Sequence, residues 1–162
     1  MYKVAIITAS DKGYAGERED KSGSVIEEIV TAHELEVTSK VILPDDRQML
    51  SDQMLNYCHQ GIDLILTTGG TGFSKRDVTP EATADIVERR ADNLTFAMIA
   101  NSLQYTPKAM LSRGIAGIRE NTLIVNLPGS PKAVRENLEY AIDAIIHGVK
   151  ILKGDDAECA RK

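Results

Sequence analysis

At 162 residues the chain has room for one domain with a self-sufficient core. Its formal net charge of -5 argues against a general nucleic-acid surface, and with no tryptophan and few aromatics it offers little to stack on single strands. Two widely separated cysteines (Cys58, Cys159) without a CxxC, and three scattered histidines (His33, His59, His147), exclude a disulfide framework and a zinc spacing and point to a reducing compartment.

The first run, Lys3 to Ser10 (KVAIITAS), is apolar and β-branched without alternation, as expected of a strand buried on both faces. It is too short for a signal peptide and lacks a cleavage pattern. No stretch approaches a membrane span, so a cytoplasmic protein without membrane contact is expected. Asp11 to Ser22 reads as a long polar loop, and Asp20, Lys21, Ser22 and Gly23 as a turn opening a helix over Gly23 to His33. Ser10, Asp11, Asp20, Ser22 and Gly23 are candidates for closing over a nucleotide, although such a turn is usually only a cap. Glu36 to Leu43 is a second strand ended by Pro44, and Arg47 to Gln60 an amphipathic helix closed by Gly61.

Ile62 to Thr68 is a third strand, leading into Thr67 to Thr83 (TTGGTGFSKRDVTPEAT). Three glycines in four positions allow positive φ and close backbone approach, and successive N–H groups in such a loop can cradle an anion. A Walker A loop and the dinucleotide fingerprint both fail on spacing. Lys75, Arg76 and Asp77 follow, then Thr79-Pro80-Glu81 as N-cap, first-turn proline and acidic first turn. Pro80 to Arg90 and Leu94 to Leu103 read as helices. Tyr105 to Asn121 is irregular or short strand, and Thr122 to Leu127 a fourth core strand. Pro128-Gly129-Ser130-Pro131 breaks it, and a helix runs to about Lys153 with a polar tail over 154–162. Residues 1–153 form the single domain.

Strands alternating with helices indicate an α/β fold with a mostly parallel sheet, in which ligands collect at the carboxyl ends of strands. Every chemically suggestive motif falls on that edge. Thr68, Gly69, Gly70, Thr71, Gly72, Arg76, Ser130 and Lys132 are candidates for holding a phosphate-bearing ligand. Lys132 opposes the dipole of its helix, a cost of roughly 0.3–1 kcal/mol that a bound anion would offset. Asp45 and Asp77 are candidates for holding Mg²⁺. Either could instead cap a helix or pair with an arginine, and Asp46 could stand in for Asp45.

With TTGGTGFSKRDVTPEAT, LPGSPKAV, SDKGYAGEREDKSG and MLSRGIAG, the chain resembles the MogA/MoaB family of molybdenum-cofactor biosynthesis, which includes the gephyrin G-domain. The resemblance runs from Lys3 to about Lys153. It implies a three-layer α/β/α, molybdopterin-binding fold that assembles as trimers, with hexamers in some MoaB proteins. It further implies transfer of AMP from Mg·ATP to the terminal phosphate of molybdopterin, the product passing to a MoeA-like molybdate-inserting protein. Gly69 to Gly72 and Ser130 would contact the pterin or its phosphate, and Asp45 and Asp77 would be the functional acids, catalytic and metal-holding. Phe96 and Ile99 stand where members often carry glutamate and arginine. A pterin-binding paralogue with little transfer activity, or an oligomeric scaffold, are the other readings.

Overall fold

The computed structural model describes residues 1–155. Its elements in chain order are β1 (Lys3–Ala9), α1 (Asp11–Tyr14), α2 (Lys21–Ala32), β2 (Glu36–Leu43), α3 (Arg47–His59) and β3 (Leu64–Thr68). They continue with α4 (Thr79–Ala84), β4 (Arg89–Arg90), α5 (Asp92–Ser102), a 3-10 turn (Pro107–Leu111), β5 (Ala116–Arg119), β6 (Thr122–Leu127) and α6 (Pro131–Lys153). Cys159 and the tail expected beyond Asp155 lie outside the described residues.

One six-stranded sheet has the order β2-β1-β3-β6-β5-β4. The first four of these are parallel, with Ile6 opposite Leu66 and Leu66 opposite Val125, while β5 and β4 add antiparallel at one edge. The apolar strands lack alternation because both faces are covered. Val4, Ile6, Leu64, Leu66, Leu123 and Val125 pack with α2, α5 and α6, whereas Ala5, Ile7, Ile65 and Ile124 pack with α3 and α4. This is the expected three-layer α/β/α arrangement. Each fully buried isoleucine or leucine contributes about 1.5–3 kcal/mol through removal from water, which fixes the strands' register and hence the line of their carboxyl ends.

Several local expectations are corrected. Part of the Asp11–Ser22 loop is helical: Ser10 accepts from the Gly13 amide at 2.9 Å and caps the single turn α1. The helix expected over Pro80 to Arg90 stops at Ala84. Ile86 turns into the core beneath the sheet, and Arg89–Arg90 pair with Ile118 and Gly117 as β4. Thr79 is not a cap; it lies inside α4, buried, and its hydroxyl has no partner among the described residues. The 105–121 stretch is irregular with a short strand, as expected: a 3-10 turn followed by β5. Among the described residues no helix is long and apolar enough to cross a membrane.

Candidate functional site

The carboxyl ends of β1, β3 and β6 open onto two adjoining concavities. The first, about 780 Å³, is lined by Ser10, Asp45, Thr68, Gly69, Gly70, Asp77, Gly129 and Ser130 together with Arg18, Asp20, Lys21 and Ser22. The second, about 530 Å³, has Thr71, Gly72, Met98, Ile99, Leu111, Asn126 and Asn137 on its walls. Gly70, Asp77, Gly129 and Ser130 belong to both, so backbone and two small polar side chains form the ridge between them. The acids and glycines expected to converge therefore do so.

Two glycine motifs build this ridge. Gly69 and Gly70 hold φ of +87° and +69°, and a Cβ at Gly69 would overlap the Ala9 carbonyl oxygen. The Thr68 hydroxyl donates to the Pro128 carbonyl at 2.6 Å, and Ser22 donates to the Gly129 carbonyl at 2.6 Å. A Cβ at Gly129 would stand 3.4 Å from Gly69 Cα, an ordinary van der Waals contact, so the crossing of the two loops is close and the missing side chain is required at Gly69. Ser130 accepts from the Ala133 amide at 3.2 Å as the N-cap of α6; its own proton remains available to donate.

The acids divide by local geometry. Asp46 accepts from the Met49 amide at 2.9 Å and caps α3, which leaves Asp45 to face the first concavity. Asp45 Oδ2 accepts from the Asp11 amide at 3.1 Å, and Asp11 Oδ1 accepts from the Asp45 amide at 3.0 Å, a reciprocal tie between the ends of β1 and β2. Among the described residues Asp45 Oδ1 is buried without any hydrogen-bond partner. Burial pushes the Asp45 carboxyl above its ordinary range, with the charges of Asp11 and Asp77 adding to the effect against the Asp11 amide and Arg76. Asp77 Oδ2 accepts from the Ser74 amide at 3.0 Å.

Other candidates stand elsewhere. Arg76 is bound to Asp11 through Nε at 2.9 Å and Nη2 at 3.0 Å, which holds the Asp11 carboxyl below its ordinary range. Lys132, two residues beyond Ser130, is turned to the far side of α6 and lines a separate depression with Tyr105 and Tyr140. Asp20 accepts from Thr8 Oγ1 at 2.8 Å and from the Gly23 amide at 2.8 Å, so it anchors α2 while bordering the first concavity. Gly23 packs on Asp20 and lines neither concavity. Ile99 lines the second concavity, whereas Phe96 is exposed. Sequence alone missed Arg18 as a lining cation and named Lys21 only as part of the turn opening α2; the charged run from Glu17 to Lys21 gave no sign of which side chains would face inward.

Asp45 Oδ1 is an anionic oxygen without a donor beside a second carboxylate, which fits a divalent cation. Among the described residues no group of three or more His, Cys, Asp or Glu could hold a metal alone.

Comparison with known proteins follows this geometry. The family described as "Probable molybdopterin binding domain" matches residues 5–147. The chain is 38% identical over 155 residues to a molybdopterin adenylyltransferase of Helicobacter pylori, covering 94% of this chain and 88% of that protein. It is 41% identical over 159 residues to gephyrin of Dictyostelium discoideum, covering 92% of this chain and spanning only 22% of that longer protein. The crystal structure of the molybdopterin biosynthesis enzyme MoaB from Thermus thermophilus superposes with a TM-score of 0.90 at 42% identity, over 95% of this chain and 98% of that one.

Proposed function

This chain belongs to the family of molybdopterin-binding domains, and on that premise we propose that it is a molybdopterin adenylyltransferase acting in molybdenum-cofactor synthesis. It transfers AMP from ATP to the terminal phosphate of molybdopterin and releases pyrophosphate. The observation that carries this reading is the ridge where Asp77, Ser130 and two glycine loops are shared by two concavities. Two substrates lying one on each side meet there. We assign the triphosphate to the first concavity, whose lining cations are Arg18 and Lys21. The pterin ring takes the second, where Met98 and Ile99 offer apolar surface beside the amides of Asn126 and Asn137.

The molybdopterin phosphate is already an anionic nucleophile near neutral pH, so no side chain has to deprotonate it. Its oxygen bonds to the α-phosphorus of ATP as the bond from that phosphorus to the pyrophosphate oxygen breaks. The protein's task is to bring two anions together and to stabilise charge on the leaving group. Glycine backbone and the Ser130 hydroxyl position the phosphates, and Asp45 and Asp77 are the carboxylates that would hold Mg²⁺. When bound, that ion would supply positive charge to offset the negative charge of the phosphates.

Asp77→Asn retains fold and most molybdopterin affinity but loses most transfer, whereas Ser130→Ala chiefly weakens molybdopterin binding. Molybdopterin titration and single-turnover transfer on each variant test this. Near-wild-type transfer by Asp77→Asn removes its catalytic role. A wild type that transfers from no nucleotide tried makes the protein a molybdopterin-binding paralogue.

The chain acts in the cytoplasm as a homo-oligomer, most simply a trimer, and hands its product to a molybdate-inserting partner of the MoeA type. The exposed apolar side chains Tyr105, Met110 and Leu111 support an assembly contact near the 105–121 segment. Sedimentation equilibrium showing only monomer at micromolar concentration would count against it.

A further inference from the structure

Arg113 lines neither concavity, yet it is tied to both ends of the excursion that carries Asp77. Its amide donates to the Thr71 carbonyl at 2.8 Å. Its Nε donates to the Gly72 carbonyl at 2.8 Å, its Nη2 to the Asp77 carbonyl at 2.9 Å, and its Nη1 to the Glu81 carboxylate. Between Gly72 and Asp77 the four residues Phe73 to Arg76 are exposed, so packing does not set the distance between the ends of this excursion. Within the excursion the other ties are the Asp77 amide to the Ser74 carbonyl at 3.0 Å, the Ser74 amide to Asp77 Oδ2 at 3.0 Å, and the Arg76–Asp11 pair, which move with it or with α1. Outside it the Thr79 amide donates to the Gly70 carbonyl at 3.1 Å and joins the flanking residues without touching Gly72 or Asp77.

We propose that Arg113 is a positioning residue for the transfer reaction: by clamping the carbonyls of Gly72 and Asp77 with one guanidinium, it sets where the Asp77 carboxylate stands against the glycine ridge and Ser130. This rests on the transfer function proposed above. Three acceptors diverge around one planar group, which matches the fixed fork of arginine. A lysine ammonium is a single point and cannot span them. Because the guanidinium touches the backbone on both sides of the excursion, it acts through Asp77 and not on a substrate.

The test compares Arg113→Lys, Asp77→Asn, the double variant and Glu81→Gln. Arg113→Lys should slow single-turnover transfer by about 10–100-fold, the scale of a misplaced catalytic group, while molybdopterin affinity stays within about threefold by the same reasoning. In the Asp77→Asn background the same substitution should cost less than about a further threefold, because the group it positions is gone. Full additivity would mean a general structural role and would overturn the proposal. Glu81→Gln keeps the acceptor oxygen and removes its charge; transfer as slow as in Arg113→Lys would assign the effect to the ion pair and overturn the clamp.

Hydrogen exchange gives a readout free of activity. In Arg113→Lys the Ser74 and Asp77 amides should exchange about tenfold faster while those of α6 keep their rates, as expected of a local opening. Unchanged exchange at Ser74 and Asp77 overturns the clamp. If Arg113→Lys does not fold, Arg113→Gln takes its place. A wild type that transfers nothing refutes the reaction itself, and the exchange rates then decide the clamp alone.

Discussion

Replacing Gly70 with alanine should strike stability and chemistry together, and the two can be separated. Gly70 sits at φ +69°, and a Cβ there would overlap Thr79 Oγ1, stand 3.3 Å from Thr79 Cβ and lie 3.1 Å from Asp45 Oδ1. Thr79 is fully buried, so its hydroxyl cannot swing into solvent to make room. A side chain in the left-handed region costs about 1–2 kcal/mol, and overpacking costs about 1–3 kcal/mol more. Gly70→Ala should therefore lose about 2–5 kcal/mol, or about 4–20 °C in Tm for a domain of this size. Thr79→Ala removes the overlapping hydroxyl, so the double variant should be more stable than the summed single losses imply, by about 1–3 kcal/mol. Equilibrium urea unfolding with matched m-values measures all three. A Gly70→Ala loss below about 0.5 kcal/mol, or additivity within that margin, refutes the reasoning. Gly72→Ala is the contrast: its Cβ would meet only Asp77 Oδ2, at 3.0 Å, the far end of a flexible side chain. It should cost less than about 1 kcal/mol of stability and still impair transfer.

Two pH experiments follow from the ion pairs and burial. The fold raises the Asp45 carboxyl above its ordinary 3.8, so the folded state binds that proton more tightly than the unfolded chain. Stability is lost as pH rises from 3.8 through the raised value. Asp45→Asn should therefore gain on wild type over that window in denaturant unfolding, and a difference independent of pH would refute the assignment. Asp63 is buried and accepts from the Lys3 amide at 2.8 Å and from Lys153 Nζ at 2.7 Å. Its carboxylate raises the Lys153 pKa above 10.5. That contribution is complete below 10.5 and lost as pH rises through the raised value. Lys153→Met should cost about 1 kcal/mol at neutral pH, because the ammonium is partly exposed and solvent screens the pair, with the gap to wild type narrowing in strong alkali; a constant gap would show that the charge pairing contributes nothing.

The parallel half of the fold was legible because β1, β3 and β6 are apolar on both faces and because strands end in recognisable breakers, as at Leu43-Pro44 and Leu127-Pro128. The ligand edge followed from that topology. What failed was local pattern without tertiary support. Ile86 and Val87 continued a helical spacing that β5 interrupts, since Gly117 admits Val87 against its backbone. Two arginines forming β4 carry no strand signal at all. Asp45 and Asp46 could not be told apart until the cap on Met49 was seen. The sequence placed Lys132 beside Ser130, but helix rotation separates them. Arg113 was invisible as a functional residue, since the loop and elbow it holds are distant in the chain.

The order of strands also bears on how the polypeptide is made. Among the described residues β6 is the last strand to leave the ribosome, yet it occupies an interior place between β3 and β5. Until Thr122–Leu127 emerges, the nascent sheet ends at β3, whose five residues are all buried in the finished molecule. At about 5–20 residues per second that edge stays unpaired for a period on the order of seconds, displaying open backbone groups flanked by Leu64, Ile65 and Leu66. Polysomes carrying this message thus hold growing chains with a sticky border. Products of premature termination before β6 should be insoluble or bound to chaperones, even though more than half of the polypeptide has by then been synthesised.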